Sequence, residues 1–499
     1  MKTLFLILTV TMCLITSIKS QISHENRIEF EEGDRFVGKK IFEFGKDGFI
    51  MRSINRNTTK KQNEWKFEKF DTDLKSVKTE SVFLEKKMFI YASFVNEDRV
   101  QFLFQNLKGN FSIVTVESSH LEVTKIDGVL PKDATVNEMT VLGDYTFFRA
   151  RKKNTKYLFS VNWKTGEKKL IPYEIGNISP MKTALMNFQV LENSNEVFLY
   201  AKVYIAKGKS DIFVIRLNSE GNKEGVFNLT KDIEENLVHV SALKLTEDKY
   251  IYTGTYSTEY TYLSEGLFFC QAKNDKVEFI EFYNFLDFEN FLSYLPEKKI
   301  KKIKQKKENK EKKAKELIEN YRISPHELIV IDDGIIFLGE AYYPAYSADG
   351  TSATGDSFIG NKYTHAIIGK FDENGKLLWD ETFKISSLDS NPSLFDPKRY
   401  ISITEKKQNS INMVFSKYNI IHSISIDYSG AILQDHQYDA IQSTYEGDKV
   451  LNSFSDVDYW YDNYFIVYGK QEIKNTNDTA NSKRKREVYF INKIKFEKE

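Results

Sequence analysis

The stretch DENGKLLW, residues 372–379, has relatives at Trp163 (WKTGEKKLI), Asn218 (NSEGNKEGVF) and Asp427 (DYSGAILQ). This recurrence restricts the fold more than any other feature of the chain. Each copy follows one apolar, strand-like run and precedes another. Its Asp, Asn, Ser and Gly residues supply the positive φ that a tight hairpin needs. A turn that recurs at regular intervals marks a repeated unit, and a repeated unit with two such turns needs four strands.

Written out, one unit runs HVSALKLT, EDK, YIYTGTYS, a loop, GLFFCQAK, ND and KVEFIEFY, from His239 to Tyr283. Another runs HELIVID, DG, IIFLGEAYY, a long loop, THAIIGKFD, ENG and KLLWDETF. A small residue, Gly254 or Gly339, falls in the second strand of each. First strands are expected near Val37, Lys87, Val136, Ala184, His239, His326, Tyr400 and Ser455, a period of roughly 50 residues. The last unit stops one strand short, and NRIEFEE, residues 26–32, is the segment that would complete it and leave no open sheet edge. The pattern predicts an all-β protein, a β-propeller of eight four-stranded antiparallel blades with seven as the alternative, closed by the N-terminal strand.

In its blade hairpins the chain resembles β-propellers with a D-x-x-G-K-x-x-W-like turn, as in extracytoplasmic bacterial repeat proteins. The resemblance spans nearly all of the chain as architecture and is close in motif at DENGKLLW. It implies membership among families that include quinone-cofactor dehydrogenases and cofactor-free assembly scaffolds, and it transfers no catalytic residue from either.

The opening MKTLFLILTVTMCLITSIKSQ combines Lys2, an apolar core from Leu4 to Ile18 and a polar exit, the pattern of a signal peptide over residues 1–20. Export to a periplasmic, cell-surface or secreted location is therefore expected, with residues 21–499 as one propeller domain. No later stretch is long and apolar enough to span a bilayer. Past residue 20 the only cysteine is Cys270, in an apolar strand pattern, so no internal disulfide is expected there. Lys+Arg and Asp+Glu are both 71, which excludes the broad basic field of a nucleic-acid binder. Aromatic residues make up 14%, with 38 Phe and 28 Tyr against 8 Pro, a composition suited to many short, half-buried strands.

In a four-stranded blade the first-to-second and third-to-fourth turns share one side, and the remaining connections share the other. The first set is uniformly tight, whereas the length variation falls in the second set. Long loops on a regular scaffold carry recognition. The candidate ligand-binding residues on that side are Tyr260 and Tyr262, and Tyr342, Tyr343, Tyr346, Asp349, Asp356 and Tyr363 of the loop YYPAYSADGTSATGDSFIGNKYTH. Asp456, Asp458, Tyr459 and Trp460 add acids and stacking rings at the start of the last first strand.

The largest insertion, residues 286–325, has intermittent helical spacing, and between Lys298 and Lys315 eleven of eighteen residues are lysine. It reads as a charged helix or helical hairpin projecting from the ring. Lys301, Lys302, Lys306, Lys307, Lys312 and Lys313 are its candidates for docking an anionic surface.

The seven histidines lack metal-ligand spacing, and no P-loop, nucleophile elbow or dinucleotide fingerprint is present. No cofactor is expected, and the aspartates of the long loop resemble a calcium loop only faintly. Asn57, Asn110, Asn177, Asn228 and Asn477 begin N-x-S/T triplets. The reading leans away from catalysis, towards an exported propeller that binds a protein or glycan on its long-loop side. The alternatives are a carbohydrate-active enzyme with carboxylates near the central channel, or a structural part of a cell-envelope assembly.

Overall fold

A computed structural model describes residues 22–497, apart from 32, 34, 59, 60, 132, 192, 193, 232 and the segments 309–320, 348–356, 390–398, 405–408 and 476–484. Its strands form eight antiparallel sheets of the expected four-stranded kind, so the fold is an eight-bladed β-propeller and the count of seven falls away. Contacts divide the chain into two compact units, residues 34–400 and residues up to 33 together with 401–499.

The first unit carries six blades, whose first strands begin at Val37, Phe89, Thr135, Thr183, Asn236 and Arg322. Blade 5 shows the plan: Asn236–Lys244, Lys249–Ser257, Gly266–Lys273 and Lys276–Asn284, paired in that order. In blade 6 the first strand is broken into Arg322–Pro325 and Ile329–Ile331, both paired with Gly334–Ser347. The first strands of blades 1 to 5 each shift register after their first, second or third residue, for example between Leu237 and His239. A bulge at that place increases twist and bends the strand. Opposite it in blade 5 lies Gly254, where a Cβ would stand 2.1 Å from the His239 carbonyl oxygen. Glycine there is a requirement of the bulge.

Alternating apolar residues of adjacent blades make the core, as where Phe198, Tyr200 and Val214 of blade 4 meet Val240, Tyr252 and Phe268 of blade 5. Polar side chains then fix one blade against the next. Gln189 of blade 4 accepts from the Ala242 amide at 2.7 Å and donates to the Ala242 carbonyl at 2.8 Å. Glu138 accepts from the Phe188 amide at 2.9 Å, and Glu340 accepts from the Tyr400 amide at 2.8 Å. Each clip gives a backbone amide a side-chain partner.

After blade 5 the chain leaves the repeat. Two short 3-10 turns, Phe285–Asp287 and Phe291–Tyr294, precede the helix Glu297–Glu308. Phe285, Phe288, Phe291, Leu292 and Ile303 are buried against Phe269, Phe337 and Ile367 of blades 5 and 6. Asp380 of blade 6 accepts from the amides of Glu289 and Asn290, both at 2.8 Å. The segment expected as a projecting arm therefore starts as a docked one, and residues 322–325 belong to a strand.

The second unit holds two blades. Blade 7 comprises Ser402–Ile403, Ser410–Lys417, Ile420–Asp427 and Ile432–Ala440. Blade 8 comprises Asp448–Tyr461, Tyr464–Asn475, Lys485–Phe496 and, as its fourth strand, the N-terminal Ile22–Glu31. Ile28 pairs with Ile491 and Phe30 with Tyr489, so the N-terminal segment does complete the last blade.

Candidate functional site

Within residues 34–400 the connections separate as the sequence implies. The ends that join second to third strands and blade to blade include 258–265 and the stretch from Phe285 to Glu308, whereas the opposite side carries tight turns such as Asn274-Asp275. The long-connection ends of blades 4 and 5 expose an aromatic group. Tyr260 and Tyr262 lie in the connection 258–265, and Tyr204 and Ile205 end the second strand of blade 4, with exposures of 41%, 72%, 40% and 51%.

The connection that carries Tyr260 and Tyr262 is held at its base. The Glu265 carboxylate accepts from the hydroxyls of Ser257 and Thr258, at 3.2 and 2.9 Å. The Glu265 amide bonds to the Tyr256 carbonyl at 2.8 Å, and the Ser264 amide to the Tyr321 carbonyl at 2.9 Å. Tyr260 meets Tyr204 with ring centroids 5.9 Å apart and planes at 60°. Desolvation, followed by the hydrogen bond to Tyr204, raises the Tyr260 pKa above the usual tyrosine range. The Lys202 ammonium lies 5.4 Å from the Tyr260 ring centre, and partial burial lowers its pKa. Exposed rings with one cation among them can stack on a sugar or peptide face and attract a carboxylate or phosphate.

The other sequence candidates sit differently. Tyr342, Tyr343 and Tyr363 belong to strands, because the expected loop narrows to the connection between Gly334–Ser347 and Ser357–Phe371. Tyr342 and Tyr363 are buried, their rings 5.6 Å apart, and Tyr363 stacks on Tyr400 at 5.4 Å. Both side chains thus pack among strands rather than in an exposed loop. Tyr343 is half-buried, 6.5 Å from Tyr321. Tyr346 is exposed and meets Phe358 edge-on at 5.8 Å. Asp349 and Asp356 lie outside the described residues.

In the second unit, Asp458 accepts from the Tyr468 hydroxyl, Trp460 is buried with Lys493 5.8 Å from its ring, and Asp456 and Tyr459 are half-buried. This is a paired and packed arrangement. On the helix Glu297–Glu308, Lys301 and Lys302 face solvent, with Lys301 4.0 Å from Glu297, while Ile303 is buried. Lys306 and Lys307 lie on the same helix, and Lys312 and Lys313 lie outside the described residues.

Lys202, Tyr204 and Ile205 were not legible as site residues. The available signal was the adjacent pair Tyr204-Ile205, which breaks strand alternation, and the pairing does shift register between Tyr204 and Ala206. Among the described residues no group of three or more His, Cys, Asp or Glu is gathered as metal ligands would be. Burial pushes the Cys270 thiol up to about 12, the environment of an inert core cysteine. No helix among the described residues is long and apolar enough to cross a membrane.

The fold defines a class of protein, the eight-bladed β-propeller. No known protein family and no curated protein matches the chain. Among solved structures it is similar to the β-propeller domain of the Trilobed protease from Pyrococcus furiosus, at 10% identity and a TM-score of 0.35, over 80% of this chain and 99% of that one. It is similar to the WD40 domain of SCAP from fission yeast, at 7% identity and a TM-score of 0.41, over 95% and 98% of the two chains. It is also similar to oligopeptidase B from Leishmania major, at 8% identity and a TM-score of 0.39, over 90% of this chain and 55% of that one. These likenesses concern the fold.

Proposed function

We propose that this protein is an exported propeller that binds a macromolecular partner, a glycan or a protein, through the long-connection side of blades 4 to 6. The observation that carries the reading is the exposed group Tyr204, Ile205, Tyr260 and Tyr262, with Lys202 beside it, on a connection pinned by Glu265. Exposed aromatics on a held loop bring contact area at low entropic cost, which is the composition of a binding surface rather than of a plain scaffold edge. The outward lysines of Glu297–Glu308 would add attraction to an acidic partner.

The test is binding of residues 21–499 to a glycan array, with and without calcium, beside a Tyr260→Ala/Tyr262→Ala variant. A glycan held by the wild type and lost by at least tenfold in the variant supports the reading. Equal binding by both chains places recognition elsewhere and overturns this site. If no glycan binds, a cross-linker placed at residue 262 in the native source should capture one protein reproducibly, and failure there overturns the proposal.

A further inference from the structure

The N-x-S/T triplets are distributed with respect to the sides of the blades in a way that composition does not explain. Asn57 lies between the second and third strands of blade 1, Asn110 opens the third strand of blade 2, and Asn177 lies between blades 3 and 4. Asn228 ends the fourth strand of blade 4. These four, the triplets among the described residues, are at the long-connection side, and Asn477 lies outside the described residues. The opposite side of the same unit is equally rich in turn asparagines, with Asn96, Asn162, Asn195, Asn218, Asn274 and Asn374, yet none of these begins such a triplet. Asparagine is thus available at both ends of the blades, and the acceptor pattern occurs at one.

The three triplets in blades 1 to 3 and the connection to blade 4 share a second property. Asn57, Asn110 and Asn177 are exposed at their connections. Asn228 differs, being half-buried with its Nδ2 donating to Asp211 at 2.6 Å and its Oδ1 accepting from the Thr230 amide at 3.0 Å. The exposed aromatic rim lies beyond these sites along the chain, on blades 4 and 5.

We propose that Asn57, Asn110 and Asn177 carry N-linked glycans, an assignment that rests on the export reading because the glycosyl donor acts in a secretory compartment. The donor is a lipid diphosphate-linked oligosaccharide. The Asn Nδ2 forms a bond to the sugar C1 as the C1–O bond to the diphosphate breaks; the lipid diphosphate leaves with the bonding pair, and one Nδ2 proton is lost to base. No electron transfer is involved. The product places sugars over the long-connection side of blades 1 to 3 and leaves the rim around Tyr260 and Tyr262 uncovered. Glycans and partner then occupy different sectors of one side, and the sugars restrict where a macromolecule can approach.

The experiment uses the full chain recovered from its own source, split into medium, surface and interior fractions and treated with a peptide N-glycanase in heavy-oxygen water. Mass spectrometry then reads Asn-to-Asp conversion at each site. In parallel, the full chain and its Asn57→Gln, Asn110→Gln and Asn177→Gln variants are expressed in a eukaryotic secretory host. Conversion at the three positions, with each substitution removing one step of gel mobility, is the expected result. An exported protein unconverted at all three overturns the glycan assignment and leaves export standing, whereas an unconverted protein confined to the interior overturns both.

Discussion

Arg486 and Asp448 face each other across blade 8 in a two-pronged ion pair, with Nη1–Oδ1 at 2.8 Å and Nη2–Oδ2 at 2.6 Å. Arg486 lies on the third strand and Asp448 on the first, and both side chains are almost completely buried. Glu29, from the N-terminal strand, bonds the same guanidinium at 3.2 Å, and Arg27 pairs with Glu29 at 2.7 Å. The first, third and fourth strands of the blade are thereby joined by two arginines and two carboxylates. The Asp448 carboxyl is held down to about 2, against desolvation, by the hydrogen bonds from Arg486 and Asn475.

Removing one partner of that pair should be costly, because the other charge stays buried. Asp448→Ala is expected to lower stability by roughly 3–5 kcal/mol, and Asp448→Ala with Arg486→Met by less than the single change. The pair also predicts an acid limb. A depressed carboxyl pKa contributes stability that is whole above the unfolded value of about 4 and is lost as pH falls towards about 2. Denaturant titrations from pH 5 to 2 should show this loss in the wild type and a smaller one in Asp448→Ala. Parallel curves would show that the pair does not govern the acid limb.

Gly254→Ala tests the bulge. The new methyl would lie against the His239 carbonyl at a φ of 159°, where neither backbone can yield without losing the register of the strands. A loss on the order of 1–3 kcal/mol is expected, the cost of overpacking. Gly208→Ala has open space around its Cβ but a φ of 76°, so it should show the smaller cost of strain alone. Thermal melts of the two variants compare these effects directly.

Ile303 separates the docked from the solvated part of the lysine-rich segment. Ile303→Ala should cost roughly 2–5 kcal/mol, as large-to-small changes in cores do, because its side chain is buried among the apolar residues of blades 5 and 6. Lys301→Ala and Lys302→Ala, on the solvent side, should stay within about 0.5 kcal/mol of wild type. Equal effects from all three substitutions would show that the helix is not seated through Ile303.

Period-two alternation and turn chemistry made the blades legible. The observed first strands start at or near Val37, Val136 and Ala184, and the completing strand contains the expected Arg27–Glu31. Where alternation continued through a polar-looking segment, the sequence misled. YYPAYS reads as a loop through its proline and serine, yet it pairs with the third strand as far as Ser347, which carries Tyr342 inward. The docked base of the insertion was hidden for a related reason. Phe285, Phe288 and Phe291 recur every third residue, a 3-10 spacing, while the neighbouring lysines dominate the composition. Lys202 and Tyr204 join the candidate group through a neighbouring blade, a relation that no local pattern encodes.

His365 sits inside a group of aromatic rings. Its ring stacks on Tyr294 with centroids 3.8 Å apart and planes at 13°, and Tyr321 and Phe291 meet its edges and faces at 5.0 and 5.6 Å. Three of the rings around this one blade-6 histidine thus come from the segment inserted after blade 5. Burial pushes the imidazole down to about 3. The unfolded chain takes up the proton near pH 6.5 and the folded chain does not, so this group costs stability as pH falls from about 6.5 towards about 3. Within that window it contributes a slope of about 1.4 kcal/mol per pH unit. His365→Phe keeps an aromatic stack on Tyr294 and removes the titration. Its stability curve should run flatter than that of the wild type between pH 6.5 and 4, by about that slope. His239 and His422, each lowered by burial to about 4, contribute equally to both proteins and cancel in the difference. Hydrogen exchange on the amides of 285–303 should show greater opening in the wild type at pH 4 than in the variant. A difference curve without slope would mean that the imidazole takes its proton in the folded protein, and the stacked seat of the insertion would then have to accommodate a cation.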